Sequence, residues 1–133
     1  MKLTPTLWRY LPAVCMVLFI ALVSLLPAAC FKRVEMSVPP WPYMDKWIHA
    51  VMYGALSLSF HHALTVQNRV RVASVLWLTL LAGGYGLILE YGQGTLTQSR
   101  SQDLCDAMAN LMGASLALWA SFGWSRYRER PRR

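Results

Sequence analysis

The chain has 133 residues, of which 56% are hydrophobic and only 14% are charged, and its net charge is +7. Soluble domains average about 45–50% apolar and about 25% charged residues. The length excludes a large multidomain enzyme, the apolar content excludes a disordered chain, and the low charged fraction argues against a nucleic-acid partner. We therefore expect one membrane domain over residues 1–133.

Four apolar stretches are long enough to be transmembrane helices, each of which needs about 20 mainly apolar residues. We predict these helices at residues 10–31, 44–66, 72–93 and 104–124. The predicted fold class is all-α, a polytopic membrane protein with a bundle of four transmembrane helices. The polar link at 67–71 is so short that it predicts an antiparallel hairpin of the second and third helices.

The start of the chain has a second interpretation. Lys2 and Arg9 precede the first apolar stretch, and Ala28-Ala29-Cys30 ends it, which is the pattern of a cleaved signal peptide. However, the stretch is as long as a full transmembrane helix, and Pro27 fits poorly beside a cleavage site. We therefore expect this segment to be retained as a helix.

The distribution of lysine and arginine predicts the orientation in the membrane. With four helices, nine basic residues lie on the side of the termini and four on the other side. The nine are Lys2, Arg9, Arg69, Arg71, Arg126, Arg128, Arg130, Arg132 and Arg133, and the four are Lys32, Arg33, Lys46 and Arg100. This excess predicts a bacterial inner membrane protein with both termini in the cytoplasm. The basic tail at 125–133 would contact the anionic inner leaflet.

Polar residues interrupt three of the predicted helices at one depth, in the outer leaflet. A charge at the centre of a bilayer costs about 2.5–3.5 kcal/mol, so such residues are candidates for function. The second helix contributes Asp45, Lys46 and His49, the third contributes Glu90 and Gln93, and the fourth contributes Asp106 and Asn110. Small residues on the fourth helix, Gly113 and Ala117, predict close helix packing beside these polar residues.

These residues resemble the signature of the VanZ-like family. The resemblance covers nearly the whole chain and rests on the order and spacing of the motifs on successive helices. The motifs are Asp45-Lys46-Trp47-Ile48-His49, Glu90-Tyr91-Gly92-Gln93, Arg100 followed by Asp106, then Asn110 and Gly113, with Ser24-Leu25-Leu26-Pro27 closing the first helix. VanZ-like proteins are small integral membrane proteins, and the founding member confers resistance to the glycopeptide teicoplanin. The resemblance implies a role in the cell envelope.

The first functional hypothesis is binding or protection of an anionic lipid or a lipid-linked envelope component. Lys46 would interact with a phosphate as a point charge, and the guanidinium group of Arg100 would donate two parallel hydrogen bonds to it. Asp45, Gln93 and Asn110 would complete the ligand-binding set. The expected partners are membrane lipids, a lipid-linked cell-wall precursor or a glycopeptide, and the sequence does not indicate an oligomeric state.

The second hypothesis is a membrane enzyme that acts on lipid-phosphate or lipid-linked cell-wall substrates. His49 would be the general base or nucleophile, and Glu90 or Asp106 would set its tautomer. A proton or ion transporter is a further alternative. The last alternative is a purely structural role, in which the polar side chains only form hydrogen bonds with one another.

The sequence predicts no metal site and no cofactor, because it contains neither a CxxC nor an HExxH motif. Cys30 and Cys105 both fall on the predicted outer side, where a disulfide is chemically permitted. We expect free thiols at these positions, with the Cys30–Cys105 disulfide as the alternative.

Overall fold

The computed structural model of the chain describes residues 8–27, 30, 41–65, 71–96 and 103–128. Within these ranges it contains four helices and no strand. The helices are α1 (Leu11–Leu25), α2 (Met44–Thr65), α3 (Val72–Leu96) and α4 (Leu104–Arg128). The all-helical prediction is therefore confirmed.

Helix α1 is shorter than predicted, because it ends at Leu25 and not near residue 31. Leu26 is extended, with φ −68° and ψ 139°. Pro27 explains this ending, since a proline disfavours helical geometry in the residue before it. At 1.5 Å per residue, the 15 residues of α1 span about 22 Å.

Helices α3 and α4 are longer than predicted. Helix α3 continues past residue 93 to Leu96, and its last turn includes a hydrogen bond from the Thr95 hydroxyl to the Tyr91 carbonyl oxygen. Helix α4 continues past residue 124 to Arg128. Basic side chains in a last turn interact favourably with the helix dipole, and Arg126 and Arg128 occupy that turn in α4.

Among the described helices, α3 alone is both long enough and apolar enough to cross a membrane. Helix α1 is apolar but has only 15 residues. Helices α2 and α4 have 22 and 25 residues, and polar side chains interrupt their apolar sequences.

The most extensive helix contact joins α2 to α4, which also packs against α3. Helix α1 contacts α2 and α3 from the opposite side of the bundle. The link at 67–71 falls largely outside the described residues, and the predicted hairpin pairing of α2 with α3 is a minor contact. Hydrogen bonds join the start of α4 to the start of α2 and to Glu90 near the end of α3, so these three helix ends form one end of the bundle.

Small residues explain why α2 and α4 pack so closely. A Cβ atom added at Gly54 would lie 3.4 Å from the Gly113 carbonyl oxygen and 3.6 Å from the Cβ of Ala117. A Cβ atom added at Gly113 would overlap the backbone of Ala50. The two helices therefore meet backbone to backbone, as membrane helices with small residues at their interfaces do.

A cavity of about 220 Å³ lies between α1, α2 and α3. Its lining is almost entirely apolar and consists of Val17, Leu56, Ser57, Phe60, Leu78, Leu81, Ala82 and Tyr85. The Tyr85 hydroxyl donates a 2.6 Å hydrogen bond to the Val17 carbonyl oxygen, which attaches α1 to α3 at the edge of the cavity.

Candidate functional site

Lys46, near the start of α2, is bonded to three carboxylates. Its Nζ atom lies 2.7 Å from Asp45 Oδ2, 2.5 Å from Asp103 Oδ2 and 2.6 Å from Asp106 Oδ1. An ammonium group has three N–H donors, so these contacts use its full donor capacity. Asp103 and Asp106 lie at the start of α4, and Lys46 therefore fastens α2 to α4 at this end of the bundle.

His49 lies one turn further along α2 and faces α4. Its Nδ1 atom is 3.0 Å from Asn110 Oδ1, and its Nε2 atom is 3.7 Å from Asp106 Oδ2. An amide oxygen only accepts hydrogen bonds, so Nδ1 carries a proton and donates it to Asn110. In a neutral imidazole, Nε2 then presents its lone pair on the side of Asp106.

Glu90 is the contribution of α3. Its side chain is buried, with 6% exposed, and Oε2 accepts a long 3.4 Å hydrogen bond from the backbone N–H of Asp103. Among the residues that the structure describes, no lysine or arginine lies within ion-pair distance of Glu90. Burial of a carboxylate without a counter-charge is costly. Glu90 is therefore a group that would gain from binding a cation or a proton.

Asn110 is almost fully buried between the helices, with 1% exposed. It lies against the backbone of α3 at Gly86, where an added Cβ atom would come within 2.8 Å of Asn110 Nδ2. A side chain at position 86 would therefore displace the amide that holds His49.

Asp103 belongs to this group of residues, although the sequence prediction did not include it. Its Oδ1 atom accepts a 2.8 Å hydrogen bond from the backbone N–H of Cys105, which caps the start of α4. Its Oδ2 atom accepts a hydrogen bond from Lys46, and this bond holds the pKa of the Asp103 carboxyl below its usual value. An aspartate directly before a predicted helix start is a common N-cap, and this signal could have identified Asp103.

We call the contacting side chains the polar cluster, and its members are Asp45, Lys46, His49, Glu90, Asp103, Asp106 and Asn110. The other predicted site residues lie around it or elsewhere. Gln93 is buried near the end of α3, and Arg100 lies outside the described residues. Gly113 and Ala117 lie further along α4, where it meets α2.

Two sets of three residues within the polar cluster have a geometry that could hold a metal ion. The ligand atoms of His49, Glu90 and Asp106 lie within 4.8 Å of one another, and so do those of Asp45, Asp103 and Asp106. The ammonium group of Lys46 is bonded to all three carboxylates of the second set. Because the first set comes from three different helices, no local motif in the sequence could have revealed it.

The three cysteines, Cys15, Cys30 and Cys105, are free and exposed. The free-thiol expectation is therefore met, and the alternative Cys30–Cys105 disulfide is absent. Cys105 lies in the first turn of α4 beside Asp103, so it is a native position for chemical labelling of this end of the bundle.

No family model, curated protein or solved structure matches this chain. The chemistry of the polar cluster is therefore inferred from its own residues. One imidazole with a directed lone pair lies next to a buried carboxylate, and three other carboxylate contacts surround a single lysine. This arrangement favours binding of cations or protons, and it contains the elements of acid–base catalysis.

Proposed function

We propose that this chain is a membrane protein whose four helices all cross the bacterial inner membrane, with both termini in the cytoplasm. The observation that carries this proposal is the inverted distribution of polarity. Large apolar side chains face outward on all four helices, for example Leu18 at 65%, Trp47 at 64%, Ile88 at 69% and Leu116 at 69% exposed. Glu90, Gln93 and Asn110 are buried instead. An exposed apolar surface of this extent is unfavourable in water and matches a lipid environment.

Labelling of Cys105 tests this topology. In a variant that carries Cys15→Ser and Cys30→Ser, a membrane-impermeant maleimide should label Cys105 from the periplasmic side of intact cells. A reporter that is active only in the periplasm should be silent when fused after Arg133. Periplasmic reporter activity, or protection of Cys105 until the cells are lysed, would contradict the proposed orientation.

Within this membrane protein, the polar cluster is proposed to bind the headgroup of an anionic lipid or a lipid-linked envelope precursor. In the proposed topology the polar cluster lies in the outer leaflet, where such precursors are used. The apolar cavity between α1, α2 and α3 begins about one and a half to two helical turns deeper, and its volume of about 220 Å³ suits part of an acyl chain.

Lys46 has no free donor for such a headgroup, because three carboxylates already hold it. The attraction for an anion would therefore come from Arg100 or from a cation bound by the polar cluster. Anion binding would therefore depend on groups other than Lys46. Substitutions of Lys46 would mainly disturb the packing of α2 against α4, whereas substitutions of the anion-attracting groups would weaken ligand binding.

The resemblance to VanZ-like proteins adds a cellular expectation to this proposal. Deletion of the gene should change susceptibility to teicoplanin or change the lipid composition of the envelope. Complementation with the wild-type chain should reverse the change, whereas His49→Ala should not. His62→Ala removes an exposed imidazole near the other end of α2 and should complement normally. Equal complementation by both variants would contradict a role for the polar cluster.

An enzyme is the second candidate, and the orientation of His49 favours it. With Nδ1 held by Asn110, Nε2 is available as a general base, and Asp106 and Glu90 lie next to it. The test is phosphate release from lipid phosphates and lipid-linked cell-wall intermediates by the purified protein. Turnover that depends on His49 would support the enzyme, whereas saturable binding of these lipids without turnover would support the binding protein.

A further inference from the structure

His49, Glu90 and Asp106 converge from α2, α3 and α4 at one point of the bundle. We propose that these three side chains bind a divalent cation, Mn²⁺ or Zn²⁺, and that the cation in turn binds a phosphate of the lipid ligand. The inference rests on the proposed lipid-binding function, and it explains how the polar cluster could attract an anionic headgroup. One ligand atom from each residue lies within 4.8 Å of the other two, close enough for the three side chains to converge on one ion.

The orientation of His49 is the first independent support. A metal-bound histidine normally donates its other ring N–H to an oxygen acceptor, which fixes the tautomer and the direction of the lone pair. His49 has this arrangement, since Nδ1 donates to Asn110 Oδ1 at 3.0 Å. Nε2 then points its lone pair into the space shared with Asp106 Oδ2, 3.7 Å away. Two acceptors in this position repel each other unless a proton or a metal cation lies between them.

Glu90 is the second support. Its carboxylate is 94% buried, given its exposed fraction of 6%, and its one described hydrogen bond is the 3.4 Å contact from the Asp103 N–H. Lys46 cannot neutralise it, because that ammonium group is bonded to three other carboxylates. A divalent cation at the proposed point would compensate the charges of Glu90 and Asp106 together. This compensation is needed most in a low-dielectric environment.

The chemistry of the ligands indicates which cations fit. One imidazole and two carboxylates suit borderline cations such as Mn²⁺ and Zn²⁺ better than Ca²⁺, which prefers oxygen ligands alone. Three protein ligands leave further coordination positions open. A phosphate oxygen of a lipid headgroup can occupy such a position, so a net negative cluster becomes able to hold an anion.

Mn²⁺ binding to the purified chain tests this inference. We expect metal-free protein in detergent to bind one Mn²⁺ and its spin-echo spectrum to show coupling to a nitrogen nucleus. His49→Ala should remove that coupling, and His62→Ala should retain both binding and coupling. Loss of a residue that only hydrogen-bonds to a metal ligand typically weakens metal binding by about 10- to 100-fold. His49→Ala, Glu90→Gln and Asp106→Asn each change a direct ligand, so each should weaken Mn²⁺ binding by at least that much. Zn²⁺ should displace the bound Mn²⁺.

Three outcomes would overturn the inference. They are no binding of either cation to the folded wild-type chain, bound Mn²⁺ without nitrogen coupling, and weakening by Asp103→Asn but not by His49→Ala. The nitrogen coupling is measured on the wild type, so the test does not depend on whether every variant folds.

Binding of anionic lipid vesicles, measured with Mn²⁺ and again with EDTA, separates this inference from the proposed function. Lipid binding that needs Mn²⁺ supports both. Lipid binding that is equal in EDTA overturns the bridging cation and leaves the proposed function intact. Mn²⁺ binding without any lipid binding overturns the proposed function, and with it the phosphate-bridging role, while the cation site itself stands.

Discussion

His49 on α2 donates its Nδ1 proton to the side-chain oxygen of Asn110 on α4, over 3.0 Å. Asn110 in turn lies in the space left by Gly86 on α3. Three helices thus determine the direction of one imidazole lone pair. The tautomer of His49 therefore depends on the packing of all three helices, and it can be measured directly.

The first prediction concerns that tautomer. Asn110→Leu removes the acceptor, so neutral His49 should become a mixture of its two tautomers. The free energy of unfolding should fall by about 1–3 kcal/mol, because the partly buried Nδ1–H donor of His49 loses its partner. Asn110→Asp keeps an oxygen acceptor and should keep the Nδ1–H tautomer. Imidazole ¹⁵N chemical shifts report the tautomer, and an unchanged tautomer in Asn110→Leu would contradict the assigned hydrogen bond.

The second prediction concerns the contact of α2 with α4. Gly113→Ala places a methyl group against the backbone of Ala50, and this overpacking should cost about 1–3 kcal/mol of unfolding free energy or more. Gly123→Ala is the matched control on the same helix, because its Cβ atom would meet nothing within 4 Å. That variant should be neutral or stabilising by about 0.5–1 kcal/mol, owing to the better helix propensity of alanine. Equal stabilities of the two variants in denaturant titrations would contradict the close packing.

The third prediction separates the geometry of the site from the stability of α3. Gly86→Ala should push Asn110 away from its position and so weaken ligand binding at the polar cluster by about tenfold or more, a loss of about 1.4 kcal/mol. Gly84→Ala lies two residues earlier on α3 and meets nothing within 4 Å. It should retain wild-type binding. The measurement is lipid binding by the two variants in parallel, and a loss in both would indicate a general effect of alanine on α3.

The fourth prediction is a pH dependence at Asp103. Its pKa is lowered in the folded chain by the hydrogen bond from Lys46, so ionised Asp103 stabilises the fold above its unfolded pKa. That stabilisation should be lost as the pH falls below about 4, the usual range of aspartate, through the folded pKa. Asp103→Asn retains a side chain that caps α4 but lacks the titrating charge.

Thermal unfolding of both proteins across the acidic range measures this contribution. The stability difference between wild type and Asp103→Asn should shrink as the pH falls through the folded pKa. A difference that stays constant with pH would show that Asp103 acts through the cap alone, without the ion pair to Lys46.

The sequence predicted much of the polar cluster, and the reason is physical. Polar side chains in apolar helices are rare, so Lys46, His49, Glu90, Asp106 and Asn110 were conspicuous without any structure. Their partners were not predictable, because periodicity shows which residues share a face but not which helix that face meets. Lys46 was expected to meet an anionic ligand, yet in the structure three carboxylates of the chain itself hold it.

The fold likewise has features that were predictable from the sequence and features that were not. Four helices followed from four apolar stretches, and the early end of α1 follows from Pro27, although the predicted helix continued to residue 31. The dominance of the α2–α4 contact over the α2–α3 hairpin did not follow from the short link. It depends on the match of Gly54 with Gly113 and Ala117, which only the packed helices reveal.

The backbone contact between Gly113 and Ala50 also bears on how a ligand enters. Helices α2 and α4 touch too closely to separate without breaking their shared interface, so that interface offers a ligand no entry. Helix α3 touches α2 at fewer points and borders the cavity with α1, so the side of α1, α2 and α3 is the more open route into the bundle. Glu90 belongs to α3, so the polar cluster has one member on a helix that lines this route.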